Sequence, residues 1–135
     1  MHVLFLADYD LGKFGPWYGD LDSSIEDTIA SVEMLRKIPA RVLLTGHETG
    51  LFEGEDGAVF DRYLNIIALR EEKLLDFLKG PKTLDEIAGA WIVYGRAREP
   101  KGFFEYGERA IMKKHLERLM KQKRVSKEKE RYVRM

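Results

Sequence analysis

The chain has no cysteine, and among its 135 residues only three are histidine and four are proline. Without cysteine there are no disulfides and no thiolate metal sites; the composition is compatible with a reducing compartment, so a cytoplasmic location is the expectation. With histidines only at positions 2, 47 and 115, neither a His-x-His pair nor a His-Glu-x-x-His helix can be written, which excludes a self-sufficient zinc motif. The nucleophile elbow Gly-x-Ser-x-Gly and the phosphate-binding Gly-x-x-x-x-Gly-Lys are missing as well. No apolar run approaches a membrane span, so no membrane association is expected. Met1-His2-Val3-Leu4 has neither a basic start nor a small-residue cleavage site, so no signal peptide is expected. There is no net charge either: 23 basic side chains balance 23 acidic ones.

That balance hides a strong polarity along the chain. Residues 1–60 carry eleven acids and four bases, whereas 113–134 carry ten bases and three acids. The basic end reads either as a solvated helix and tail or as a surface for an acidic partner, nucleic acid included. The apolar fraction of 44% is enough for one ordinary domain or two very small ones.

Two apolar runs stand out because each ends in a residue able to bind a divalent metal. Val3-Leu4-Phe5-Leu6-Ala7 leads into Asp8, and Val42-Leu43-Leu44-Thr45-Gly46 leads into His47. The first run does not alternate, so it is expected as a strand buried on both faces. Between the runs lies a loop with Gly12, Gly15, Pro16 and Gly19, whose Phe14, Trp17 and Tyr18 either wall a substrate pocket or plug the end of a core. Tyr18, with its hydroxyl, is the candidate for ligand contact. A helix follows, capped by Ser23 with Glu26, striped by Ile25, Ile29, Val32 and Leu35, and ending near Lys37 ahead of Pro39. Strand, helix and strand of this length predict a parallel crossover, with Asp8 and His47 at one sheet edge.

Beyond Glu48 the sequence predicts a Gly-rich acidic loop through Gly50, Gly54 and Gly57. A long helix is then expected over about 58–79, shared between two packed units or kinked near Ala68, and stopped by Gly80-Pro81. Arg70 is the polar exception on its apolar face. The remainder has the pattern of a winged helix-turn-helix. Thr83 and Glu86 form a capping box, and an irregular stretch follows with Gly95, Pro100, Gly102 and Gly107. The next helix carries Ile111, Met112, His115, Leu116, Leu119 and Met120 on its inner side, and two strands flank Lys127–Glu130. His115 reads as a packed, hydrogen-bonded helix residue rather than a ligand.

Leu4-Phe5-Leu6-Ala7-Asp8, Phe14-Gly15-Pro16-Trp17-Tyr18 and Leu44-Thr45-Gly46-His47, in that order around one helix, resemble the C-terminal half of the metallo-β-lactamase fold. Ala68–Leu75, Thr83–Ile87 and Lys114–Leu119 resemble the winged-helix appendage of one branch of those hydrolases. The resemblance covers nearly the whole chain. It implies an α/β protein: part of a metallo-β-lactamase αββα sandwich over 1–68, then a small winged-helix-like α+β domain over 69–135. It further implies that Asp8 bridges two metal ions, zinc in type, and that His47 is a terminal metal-binding histidine. The superfamily's main signature, His-x-His-x-Asp-His, occurs nowhere in the sequence. The expectation is therefore a fragment or split form of a metal-dependent hydrolase, inactive alone and completed by an N-terminal half or by a second copy of the chain. Self-association through an uncovered sheet is expected with it. The alternative is a nucleic-acid- or protein-binding module that uses the basic winged-helix tail.

Overall fold

A computed structural model of the chain describes residues 3–6, 9, 11–39, 42–44, 51–53 and 57–135, with the backbone alone for 42–44 and 51–53. It divides into two compact units, Met1–Pro16 with Glu26–Ile67, and Trp17–Ile25 with Ala68–Met135. The protein is α/β, and its described residues form four helices and two three-stranded sheets.

In the first unit, β1 (Val3–Phe5) pairs parallel with β2 (Val42–Leu44) after α1 (Ile25–Arg36), the crossover that the sequence predicts. α1 opens at Ile25 and ends three residues before Pro39. The strand β3 (Leu51–Glu53) runs antiparallel to β2, with Leu44 opposite Leu51. A strand thus stands inside the stretch expected to be loop. Two apolar residues between glycines are too short a run to show a period, and the ladder to β2 supplies what local sequence does not.

The described core of this unit gathers Leu6 just after β1, Leu11 from the loop, Val32 from α1, and Phe60 and Tyr63 from the helix over 58–77. β1 is not buried on both faces as expected. Val3 and Phe5 are 52% and 65% exposed, whereas Leu6 is 3% exposed and Leu4 packs on the core. Side chains in a strand alternate, and only the face carrying Leu4 and Leu6 meets this core.

The helix α2 (Ala58–Phe77) contains the boundary between the units, at Ile67 and Ala68. Its C-terminal part belongs to the second unit, along with β4 (Lys82–Thr83), α3 (Leu84–Ala88), α4 (Lys101–Lys121), β5 (Val125–Glu128) and β6 (Arg131–Arg134). β6 lies between β4 and β5, antiparallel to both. Leu74, Leu78, Ile87, Ile111, Met112, Leu116 and Leu119 are wholly buried, with Val125 and Tyr132 closing the sheet side.

Local chemistry accounts for the boundaries of these elements. The Thr83 hydroxyl accepts from the Glu86 N–H, and the Glu86 carboxylate accepts from the Thr83 N–H, a reciprocal cap on α3. α4 ends in a Schellman motif: the Lys123 N–H bonds to the Met120 carbonyl, the Arg124 N–H bonds to that of Leu119, and Lys123 sits at φ 60°.

α4 also begins earlier than expected, so Gly102 and Gly107 lie within it rather than in an irregular stretch. At Gly107 packing overrides helix propensity. A Cβ there would collide with the Tyr94 hydroxyl and lie 3.1 Å from its ring. Beside this notch, the buried Glu108 carboxylate accepts from the Val93 N–H at 2.9 Å and the Tyr94 N–H at 2.8 Å, fastening residues 91–95 to the helix. Burial raises the Glu108 pKa against the pull of those two N–H groups.

Candidate functional site

The densest polar constellation among the described residues lies inside the second unit. Arg70 and Glu71 are neighbours on α2, and His115 and Arg118 are one turn apart on α4. Each pair sits within an apolar stripe, Arg70 and Glu71 between buried Ile67 and Leu74, and His115 between buried Met112 and Leu119. Helical periodicity therefore carries charged groups inward. Tyr18 comes from the other end of the sequence to meet them.

Arg70 donates from Nη1 to the Tyr18 hydroxyl oxygen at 3.0 Å, and that hydroxyl lies 2.6 Å from His115 Nε2. His115 Nδ1 lies 2.9 Å from Glu71 Oε2, which also accepts from Arg118 Nη1 at 3.0 Å. Arg124 approaches the other Glu71 oxygen at 3.8 Å. Tyr18 and His115 meet edge to face with centroids 5.5 Å apart, and the Arg70 guanidinium lies over the Tyr18 ring at 5.5 Å.

Donor and acceptor capacities fix the direction of the chain. A guanidinium only donates and an ionised carboxylate only accepts, so the Tyr18 oxygen accepts from Arg70, Nδ1–H donates to Glu71, and a neutral imidazole leaves Nε2 to accept the Tyr18 proton. Nε2 is then the acceptor nitrogen of a neutral imidazole, and Nδ1–H donates to Glu71. Burial lowers the His115 pKa, as do the Arg70 and Arg118 charges, against the opposing pull of Glu71. For Glu71, burial works to raise the pKa, but the His115 hydrogen bond and the Arg118 charge outweigh it, and the result is lowered. The stable assignment is a neutral His115 beside an ionised Glu71. Burial also raises the Tyr18 pKa, despite Arg70, so the phenol keeps its proton.

Tyr18, the candidate for ligand contact in a loop expected either to wall a pocket or to plug a core, is 0% exposed, as is His115. Its hydroxyl serves Arg70 and His115, so the structure seats it in the core rather than against solvent. His115 stands as the sequence predicts, packed and hydrogen-bonded. Arg70, the polar exception on its helix face, is buried at the head of the chain. Glu71, Arg118 and Glu108 were not singled out by sequence. Their available signal was an acid beside Arg70, a base one turn from His115, and an acid beside Gly107, all on inward stripes.

The expected metal ligands Asp8 and His47 lie outside the described residues. Among the described residues, no group of three or more carboxylate, imidazole or thiolate side chains is placed to hold a metal ion.

No protein-family model matches the chain, and no curated protein does. Among solved structures, it is similar to a metallo-beta-lactamase family protein from Thermus thermophilus. The two share 27% sequence identity at a TM-score of 0.75, over 98% of this chain and 42% of the other. The chain is thus related to the metallo-β-lactamase fold and spans about two-fifths of that protein's length.

Proposed function

We propose that this chain forms the C-terminal part of a metallo-β-lactamase-fold hydrolase, with Asp8 and His47 as its contribution to a divalent-metal centre of zinc type. The observation that carries this reading is the likeness to a family member over almost all of this chain and less than half of the other. The order of elements adds to it: Asp8 follows the run of β1, His47 follows that of β2, and the two strands are parallel neighbours. The second unit is a winged-helix-like appendage, a reading supported by its capped short helix, its long second helix and its closing hairpin. The chain alone performs no metal-dependent hydrolysis, because the His-x-His-x-Asp-His ligands are not in its sequence. Activity requires those ligands from an N-terminal half, or a substitute set of donors contributed by a second copy of the chain.

The basic end adds no second reading. Arg118 and Arg124 face Glu71, and Arg131 faces Glu86, so part of its charge is answered within the unit.

Zinc titration of the purified chain, followed by calorimetry and by hydrolysis of a thioester, lactam and phosphodiester panel, tests the proposal. The expected result is weak binding, lost in Asp8→Ala and His47→Ala, with no metal-dependent turnover. Tight binding of about two ions per monomer would overturn the dependence on an outside half. Weak binding untouched by either substitution would overturn the ligand assignment.

A further inference from the structure

Residues 17–25 group with the second unit, although Pro16 before them and Glu26 after them both belong to the first. Residues 17–24 form neither helix nor strand, so no backbone ladder holds them. Their attachment is by side chains and close packing. Tyr18 is buried in the polar chain, and Gly19 lies against Ala110 so closely that a Cβ would stand 2.9 Å from the Ala110 Cβ. Lys114 Nζ reaches the Leu21 carbonyl at 3.4 Å, and the Leu21 side chain is fully exposed. Tyr18 is wholly buried, and its hydroxyl is hydrogen-bonded to Arg70 and His115.

We propose that the Tyr18–His115–Glu71 chain is a proton-operated latch, in which uptake of one proton at His115 Nε2 detaches Tyr18 and releases residues 17–25 from the second unit.

The argument is one of donors and acceptors in a closed space. In the neutral state every member of the chain has a partner of the right kind. A proton from solvent added to Nε2 turns that nitrogen from acceptor to donor. Tyr18 oxygen would then receive from both Nε2 and Arg70, and its own O–H would lose its acceptor while buried.

Charge acts both ways. The groups facing the imidazole are Arg70 and Glu71 from α2, Arg118 from α4 and Tyr18 from the released segment, with Arg124 behind Glu71. The Glu71 carboxylate, which already receives Nδ1–H and Arg118, attracts the new charge while the Arg70 and Arg118 guanidiniums repel it, so what opposes the proton is burial and the Tyr18 O–H left without an acceptor. Withdrawal of Tyr18 lets water reach both the phenol and the imidazolium, at the loss of the Arg70–Tyr18 hydrogen bond. Burial's hold on His115 as the neutral species agrees with this direction. The release equilibrium takes up one proton, so it shifts by up to tenfold per pH unit below the ordinary histidine value of about 6.5.

Hydrogen–deuterium exchange of the full chain between pH 7.5 and 5.5, corrected for the intrinsic pH dependence of exchange, reads the latch directly. Amides of residues 17–25 are expected to lose protection by up to about tenfold per pH unit, while those of α3 and the β5–β6 hairpin keep theirs. In His115→Gln, which cannot titrate, the protection of 17–25 is expected to be independent of pH. Protection that stays constant in the wild type, falls together with that of the hairpin, or keeps its pH dependence in His115→Gln overturns the proposal. Nitrogen NMR of labelled histidine gives a reading on the wild type alone. It should show the Nδ1–H tautomer at pH 7 and a titration that moves with the Tyr18 amide; an Nε2–H tautomer, or a titration that leaves Tyr18 unmoved, overturns it.

Discussion

The first unit pairs strands of three residues each and leaves Val3 and Phe5 in the open, while its described core rests on a handful of apolar side chains such as Val32 and Tyr63. The second unit buries a longer series of apolar residues and carries Tyr18, His115, Glu71, Arg70 and Glu108 into the same interior. Purely apolar burial is non-directional and tolerates local rearrangement, whereas a buried polar chain demands one geometry and penalises every other. The comparison teaches where each kind of constraint sits. The unit proposed to bear Asp8 and His47 is lightly knit within the described residues, and the unit beside it in sequence is closely specified.

Four substitutions sharpen or break that contrast, in descending order of effect. Leu119→Ala removes a wholly buried side chain from the second unit and should cost about 3–4 kcal/mol. The wholly buried Val32→Ala in the first unit loses less volume and should cost about 2 kcal/mol. Urea titration followed by circular dichroism measures both, and equal losses would erase the distinction.

Glu71→Gln tests the polar side of the comparison. It leaves Arg118 without its ionised partner in a largely buried setting and should cost about 2 kcal/mol at pH 7. The sign of its pH dependence follows from the lowered pKa of Glu71. A carboxyl held below its ordinary value stabilises the fold above that value, and the contribution fades as pH falls through the folded-state pKa. The gap between wild type and Glu71→Gln should therefore narrow in acid; a gap that is constant with pH would count against an ionised Glu71. His115, also lowered, adds a loss in the wild type that begins higher, as pH falls below about 6.5, because the unfolded chain then binds a proton that the native fold refuses.

The smallest effect is a gain. Lys123 holds the left-handed position after α4, where glycine has no steric cost, so Lys123→Gly should raise stability by roughly 0.5–1 kcal/mol. A thermal melt reads it, and a loss would mean that the lysine side chain contributes contacts of its own.

The sequence made some of this legible and not the rest. Helices announce themselves through spacing, and α1 ends ahead of Pro39 while α3 opens on the Thr83–Glu86 cap, as their residues indicate. Arg70 and His115 were visible as polar interruptions of apolar stripes. The exposed face of β1 was not legible, because an unbroken apolar run does not say whether a second layer covers it. β3 was hidden by its brevity, and Gly107 looked like a helix breaker because its reason, the Tyr94 ring, lies outside the helix. Glu71 and Glu108 answer partners set by tertiary packing, and no local period encodes such a pairing. The proposed ligands Asp8 and His47 remain a reading of order and resemblance.

The Tyr18–His115 hydrogen bond joins residues 97 positions apart, whereas the Schellman motif, the α3 cap and the β5–β6 hairpin close over a few residues each. Loop-closure entropy makes the distant contact the slow one to gain, so the order of assembly is written into the connectivity. The C-terminal helices and hairpin can nucleate from local contacts, and the tyrosine docks onto a surface already built. Interactions formed after the rate-limiting step act on unfolding rather than folding. The Tyr18 contact is therefore expected to act on the kinetics of coming apart, so that its loss speeds unfolding and leaves the folding rate unchanged.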